Sequence, residues 1–233
     1  MIKTHTNGIK GHFIWIPTGM GKTYITLSYL QYLKNINSLP DYIIYTLPSS
    51  AIGTVIDEIL NFGVKINIID RTKTHSLIKN IIKIKPELVK NKLFLTNSKL
   101  VDGEPYCTVL PHCINVIEHD HIRECPEQLR LIANRCIFII DEIHKTIKPI
   151  DKETLRSQHI MILAKLSYEV IGMTGTAIVN NDMYQLMPWM KLIIPYTLNK
   201  QNYLTSLTTM IARKFNTGHT INIEEIEVAE SEL

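Results

Sequence analysis

Several classes of protein are excluded by what this 233-residue chain has little of. Charge of one sign is nearly absent: 25 Lys and Arg stand against 22 Asp and Glu, a formal net charge of +3. That excess is too mild to announce nucleic acid by itself, although it leaves room for a local basic groove. Four cysteines, Cys107, Cys113, Cys125 and Cys136, are too few and too bunched for a secreted disulfide scaffold of this size. No apolar run approaches the ~18 residues of a membrane-spanning helix. The opening Met1-Ile2-Lys3-Thr4-His5-Thr6 lacks the apolar stretch of a signal peptide. An intracellular protein with no membrane partner, nuclear or cytoplasmic, is therefore expected. Ala and Gly are scarce while Ile, Asn and Lys abound. This is the bias of an AT-rich genome and would suit a viral origin.

What is present is a chain able to fold. Hydrophobic residues make up 45% and charged residues 20%, which excludes wholesale disorder. Short β-branched runs recur at His12–Ile16, Asp41–Leu47, Lys65–Ile69, Lys92–Thr96, Cys136–Ile140 and Glu169–Met173. They are nearly continuous rather than alternating, as in strands covered on both faces. Helical stretches are expected between them, at Lys22–Lys34, Ala51–Asn61, Thr74–Ile84 and Lys152–Leu166. In the first, Ile25, Tyr29, Leu30 and Leu33 fall on one side. The pattern predicts an α/β fold with a mainly parallel sheet flanked by helices on both faces. Residues 101–135, rich in Cys, His and Pro, are expected as an insertion with its own short elements. One principal domain is expected over 1–199, with 200–233 as a linker. The tail Ile221–Leu233 mixes acidic and apolar residues.

Three segments bear chemistry. Ile16-Pro17-Thr18-Gly19-Met20-Gly21-Lys22-Thr23 lies between an expected strand and an expected helix. Glycines there let successive backbone N–H groups converge on one anion, and the helix N-terminus adds its positive dipole end. Lys22 would reach the β- and γ-phosphates and the Thr23 hydroxyl would sit on Mg²⁺. A full phosphate-loop pattern has glycine where Ile16 stands. In the second segment, Cys136-Ile137-Phe138-Ile139-Ile140-Asp141-Glu142-Ile143-His144, two carboxylates close a buried strand. They are costly there unless they serve a cation. Asp141 would hold Mg²⁺ and Glu142 would orient or deprotonate a water. A strand simply ending in two solvated acids is the plainer alternative. The third, Ile171-Gly172-Met173-Thr174-Gly175-Thr176-Ala177, is by itself an ordinary turn.

Together and in this order the three resemble motifs I (Thr18 to Thr23), II (Asp141 to His144, D-E-I-H) and III (Thr174 to Thr176) of superfamily 2 helicases and translocases. The likeness extends toward SWI/SNF-type ATPases. Tyr45 to Ser50 with Thr54 to Ile59 is similar to motif Ia, and Leu95 to Leu100 to motif Ib. Met173 to Asn181 with Asp182 to Leu186 resembles the L-T-G-T-P-I-x-N-N…L segment, with Ala177 at the proline. Met210-Ile211-Ala212-Arg213-Lys214 resembles the basic segment between the family's two lobes.

The resemblance implies a RecA-like P-loop domain that takes ATP and Mg²⁺ and works on nucleic acid, duplex DNA before RNA. It implies nucleotide contacts from Thr18, Gly19, Met20, Gly21, Lys22, Thr23 and Tyr24, and catalytic roles for Lys22, Asp141 and Glu142. Thr23 and Asp141 would be the metal ligands. His144, Thr174, Gly175 and Thr176 would couple the acid pair to the γ-phosphate. Ser49, Ser50, Thr96, Asn97 and Lys99 would contact the phosphodiester backbone, where hydroxyls, amides and a few cations suffice. Family members close ATP between two such lobes, and a second lobe, in this or another chain, is the expected partner. A lobe of a D-E-x-H RNA helicase and a non-catalytic ATP-binding assembly module remain open. Cys107, Cys113, His119, His121 and Cys125 offer zinc ligands, but their spacing matches no standard finger, and buried thiols are the favoured reading.

Overall fold

The computed structural model describes residues 11–70, 83, 86, 92–97, 99–101, 104–124, 126–146 and 154–175. The strands are β1 (Gly11–Trp15), β2 (Tyr42–Leu47), β3 (Ile66–Asp70), β4 (Leu93–Asn97), β5 (Lys99–Val101), β6 (Glu104–Tyr106), β7 (Ile114–Glu118), β8 (Cys136–Ile140) and β9 (Glu169–Thr174). The helices are α1 (Lys22–Asn35), α2 (Ile52–Phe62), α3 (Pro126–Ala133) and α4 (Leu155–Leu166).

Seven strands form one sheet in the order β1-β9-β8-β2-β7-β3-β4. Every pairing in it is parallel. Side chains alternate across β8, so its five apolar residues feed two cores. Ile137 and Ile139 face a layer with Leu27, Leu30 and Leu33 of α1 and Val55, Ile56, Ile59 and Leu60 of α2. Cys136, Phe138 and Ile140 face the opposite layer, with Leu129 of α3 and Ile160, Leu163 and Ala164 of α4. Helices therefore cover both faces, as the unbroken apolar runs require. Each fully buried Ile or Leu contributes on the order of 1.5–3 kcal/mol. No helix among the described residues is long and apolar enough to cross a membrane.

Most expected elements lie within a residue or two of those found. On α1 the buried apolar residues are Leu27, Tyr29, Leu30 and Leu33, while Ile25, expected on that face, is exposed. The helix expected at 74–84 lies almost wholly outside the described residues, as do the 199/200 boundary and the segments from Thr176 onward.

The stretch expected as an insertion is corrected. It holds a central strand of the main sheet, β7, inserted between β2 and β3, and the helix α3 that leads into β8. Only the antiparallel pair of β5 and β6 stands apart. The apolar run of β7 is broken by Asn115, and that disguised it. Asn115 is fully buried and lies opposite Asn67 of β3. Asn67 Nδ2 donates to Asn115 Oδ1 at 2.8 Å, and Asn115 Nδ2 donates to the carbonyls of Leu110 at 2.9 Å and Ile43 at 3.1 Å. The Leu110 N–H returns a bond to Asn115 Oδ1 at 2.9 Å. These bonds make a polar pair tolerable in the middle of a sheet.

Candidate active site

Because the sheet is parallel, β1, β9, β8 and β2 deliver their carboxyl ends to one edge. Trp15 is in register with Thr174, and Ile140 with Gly172. The loop after β1 turns through Gly19 and Gly21, both at φ 83°, a left-handed conformation that side chains disfavour. Gly21 starts α1 with no side-chain cap and no acidic residue in the first turn. The first amides of α1 are thus left for an anion. Lys22 and Thr23 are buried, and Lys22 Nζ rests on the Ile16 carbonyl at 3.3 Å. Thr18 is exposed, and Met20, 67% exposed, stands at the rim. Tyr24 is partly exposed, its ring 6.2 Å from that of Phe62.

Gly175 presses the end of β9 against this loop. A Cβ there would lie 2.7 Å from Thr18 Oγ1, 3.1 Å from the Thr18 nitrogen and 3.5 Å from Lys22 Nζ. The loop amide of Ile16 also donates to the Thr174 carbonyl at 3.2 Å. Motion of β9 is therefore felt directly by the loop.

The acid pair closes β8. Asp141 is 7% exposed, and its N–H donates to the Thr46 carbonyl at 2.9 Å. Burial first, then the neighbouring Glu142 charge, push its carboxyl up to about 6, while nearby Lys22 pulls it down. Glu142 takes a left-handed backbone (φ 48°), a costly conformation for a residue with a side chain. Its amide caps Asp141 Oδ1 at 2.9 Å. His144 Nδ1 lies 2.6 Å from Thr174 Oγ1 and 3.2 Å from Glu142 Oε2, so one ring nitrogen bridges the second acid to β9.

The expected nucleic-acid residues divide. Ser49 and Ser50 are exposed in a short 3-10 turn after β2. Thr96 turns inward, its hydroxyl donating to Asn67 Oδ1 and the Thr108 carbonyl, both at 3.1 Å. A phosphate contact from Thr96 is therefore not what the structure offers. Asn97 ends β4 and Lys99 begins β5. Thr176 lies outside the described residues.

Sequence reasoning missed Lys145 and Arg156 and weighed His119 only as a zinc ligand; the three line a cavity of about 370 Å³ with Pro48, Ser49, Glu118 and Asp120. Arg156 donates to Asp120 Oδ1 and to the Lys145 carbonyl, both at 3.1 Å. Their separation in sequence, in the turn after β7, the turn after β8 and α4, left no local signal. Among the described residues no three His, Cys, Asp or Glu side chains converge as a metal site. Cys107, Cys113, His119 and His121 are buried, and Cys125 lies outside the described residues.

Two solved structures from Sulfolobus solfataricus are similar to this chain. The SWI2/SNF2 ATPase core in complex with dsDNA gives a TM-score of 0.58 at 17% identity, covering 97% of this chain and 40% of that one. The SWI2/SNF2 ATPase core domain gives 0.55 at 18%, covering 97% and 38%. At such identity the likeness is one of fold, and this chain spans well under half the length of those cores. No curated protein matches the sequence. The family model described as "Type III restriction enzyme, res subunit" matches residues 1–179. With a RecA-like parallel sheet and a match over most of its length, the chain belongs to that family, as a helicase-type ATPase domain of superfamily 2.

Proposed function

We propose that this chain is the ATP-binding lobe of a motor that couples Mg-ATP hydrolysis to movement on duplex DNA. The observation that carries the reading is one edge of the sheet. There an uncapped helix start holding buried Lys22 and Thr23 meets the acid pair of buried Asp141 and part-buried Glu142, and His144 ties Glu142 to the strand that touches the loop.

In this reading the α1 amides and Lys22 take the phosphates, Lys22 leaving the Ile16 carbonyl for them. Thr23 and Asp141 would hold Mg²⁺, and the raised Asp141 carboxyl fits a donor set awaiting a cation. A bound divalent cation would neutralise charge developing on the transferred phosphoryl group. Glu142, steadied on one side by His144, orients the attacking water and accepts its proton. His144 and Gly175 relay the state of that centre to β9 and the loop. Ser49 and Ser50 face solvent beside Lys145 and Arg156, a set suited to phosphodiester oxygens. One of the similar SWI2/SNF2 cores was solved with dsDNA, which favours duplex DNA as the partner here. The resemblance implies that transition-state arginines come from a second lobe, a contribution of ~10³–10⁵ in rate.

The test is ATP binding and turnover by this chain with and without duplex DNA, with Glu142→Gln as control. Nucleotide binding with little turnover supports a lobe that needs its partner. Robust DNA-stimulated turnover lost in Glu142→Gln would overturn that need, and absence of nucleotide binding would overturn the ATPase reading. Binding to RNA in preference to duplex DNA would replace the DNA partner.

A further inference from the structure

Tyr45 is a large polar side chain at this edge to which neither the motifs nor the proposed chemistry gives a task. It stands in β2, in register with Ile139 of β8, and the next residue's carbonyl receives the Asp141 N–H at 2.9 Å. Its side chain packs into the aliphatic core beneath α1 and α2 and is 0% exposed. Among the described residues its hydroxyl makes no well-formed hydrogen bond, although the Thr23 hydroxyl lies within its reach. An aliphatic residue would fill that space without burying a donor, and a buried phenol normally finds a partner. The groups around the hydroxyl are Thr23, close enough to influence it, and the Asp141 carboxylate, with Glu58 and Glu142 beyond. A phenol keeps its proton at neutral pH, so the hydroxyl is available as a donor.

We infer that Tyr45 is a positioning residue of the nucleotide site: when the site is loaded, its O–H donates to Thr23 Oγ1 and fixes the direction of the threonine hydroxyl. The inference rests on the reading of Thr23 and Asp141 as metal ligands. A hydroxyl has one proton and two lone pairs. Accepting from Tyr45 uses one lone pair. The Thr23 proton is then free for Asp141, whose Oδ1 accepts the Glu142 amide. One lone pair of Thr23 is left for a cation. Without the phenol O–H the threonine rotor is undetermined, and a hydroxyl that turns its proton to the cation repels it. Phenylalanine would keep the packing and lose only this constraint.

The experiment compares wild type with Tyr45→Phe by titrating ATP in Mg²⁺ and again in EDTA, with the thermal midpoint of the nucleotide-free proteins alongside. The expected result is an unchanged or raised midpoint and affinities in EDTA within about twofold. The gain in affinity that Mg²⁺ confers should fall about tenfold, the size expected of a hydrogen bond to a charged centre. Equal Mg²⁺ gains in the two proteins would overturn the inference, as would an equal loss in Mg²⁺ and EDTA, which marks a packing role. Should Tyr45→Phe not fold, Tyr45→Leu in the same titration gives the second arm. Failure of the wild type to bind ATP at all would overturn the nucleotide reading itself, and the inference with it.

Discussion

His119 sits behind the acid pair with both ring nitrogens committed. The Asp141 carbonyl, 2.9 Å from Nε2, can only accept, so Nε2 carries the proton and Nδ1 accepts from the Thr46 hydroxyl at 2.8 Å. Burial first, then the nearby cations Arg156 and Lys145, lower its pKa to about 3, while its bond to the Asp141 carbonyl works the other way. The folded protein therefore refuses a proton that the unfolded chain takes near 6.5. A depressed histidine contributes stability fully above about 6.5 and loses it as pH falls toward 3, by about 1.4 kcal/mol per pH unit in between. From about pH 7 down to about pH 5 the thermal midpoint of the nucleotide-free protein should fall relative to that of His119→Gln. Asp141, raised to about 6, has the opposite sign between about 4 and 6, but it is common to both proteins and drops out of the difference. Parallel curves would show that His119 is not buried neutral. Lys22, Asp141, Glu142 and His144 were legible in the sequence because their neighbours along the chain bring them to the edge. His119 and Tyr45 were not, because their surroundings are set by which strands lie side by side.

Elements were legible where burial imposes an unmixed apolar run. β8, with five buried apolar residues, declared itself. β7 did not, since Asn115 interrupts it and the Cys-, His- and Pro-rich flanks suggested a loop. The physical reason is that sheet interiors accept a polar residue when a partner strand satisfies it, and Asn67 is that partner. Sequence alone holds both asparagines without saying that they meet. Replacing Asn115 by Leu should take their side-chain partner from one Asn67 amide proton, the Leu110 N–H and the Ile43 carbonyl at once, while Asn67 keeps its bonds to Thr108 and Thr96. A loss of roughly 2–4 kcal/mol is expected, read from urea unfolding with an unchanged m-value. A loss below ~0.5 kcal/mol would mean that the pair is dispensable and that β7 is held by its isoleucines alone. Periodicity also misassigned Ile25: α1 lies over β1, β9 and α2, and the residues that meet them start at Thr26 and Leu27.

At the scale of the molecule the parallel sheet separates its two ends by chemistry. At the amino end of β1 and β9, buried Glu169 is hydrogen-bonded within the fold, accepting from the Tyr29 hydroxyl at 2.8 Å and facing His12 Nε2 at 3.1 Å. At the carboxyl end, among the described residues, Lys22 rests on a backbone carbonyl, Asp141 lies beside a second acid and α1 starts without a side-chain cap. This contrast, with membership in a helicase-type family, is the ground for a nucleotide site. It is tested most directly by calorimetric titration of ATP and Mg²⁺ into the wild-type chain and Lys22→Ala, with the urea midpoint of each. Saturable binding by the wild type is predicted, weakened about tenfold or more in Lys22→Ala while stability shifts by no more than ~1 kcal/mol. Equal binding by the two proteins would contradict a phosphate site at the start of α1.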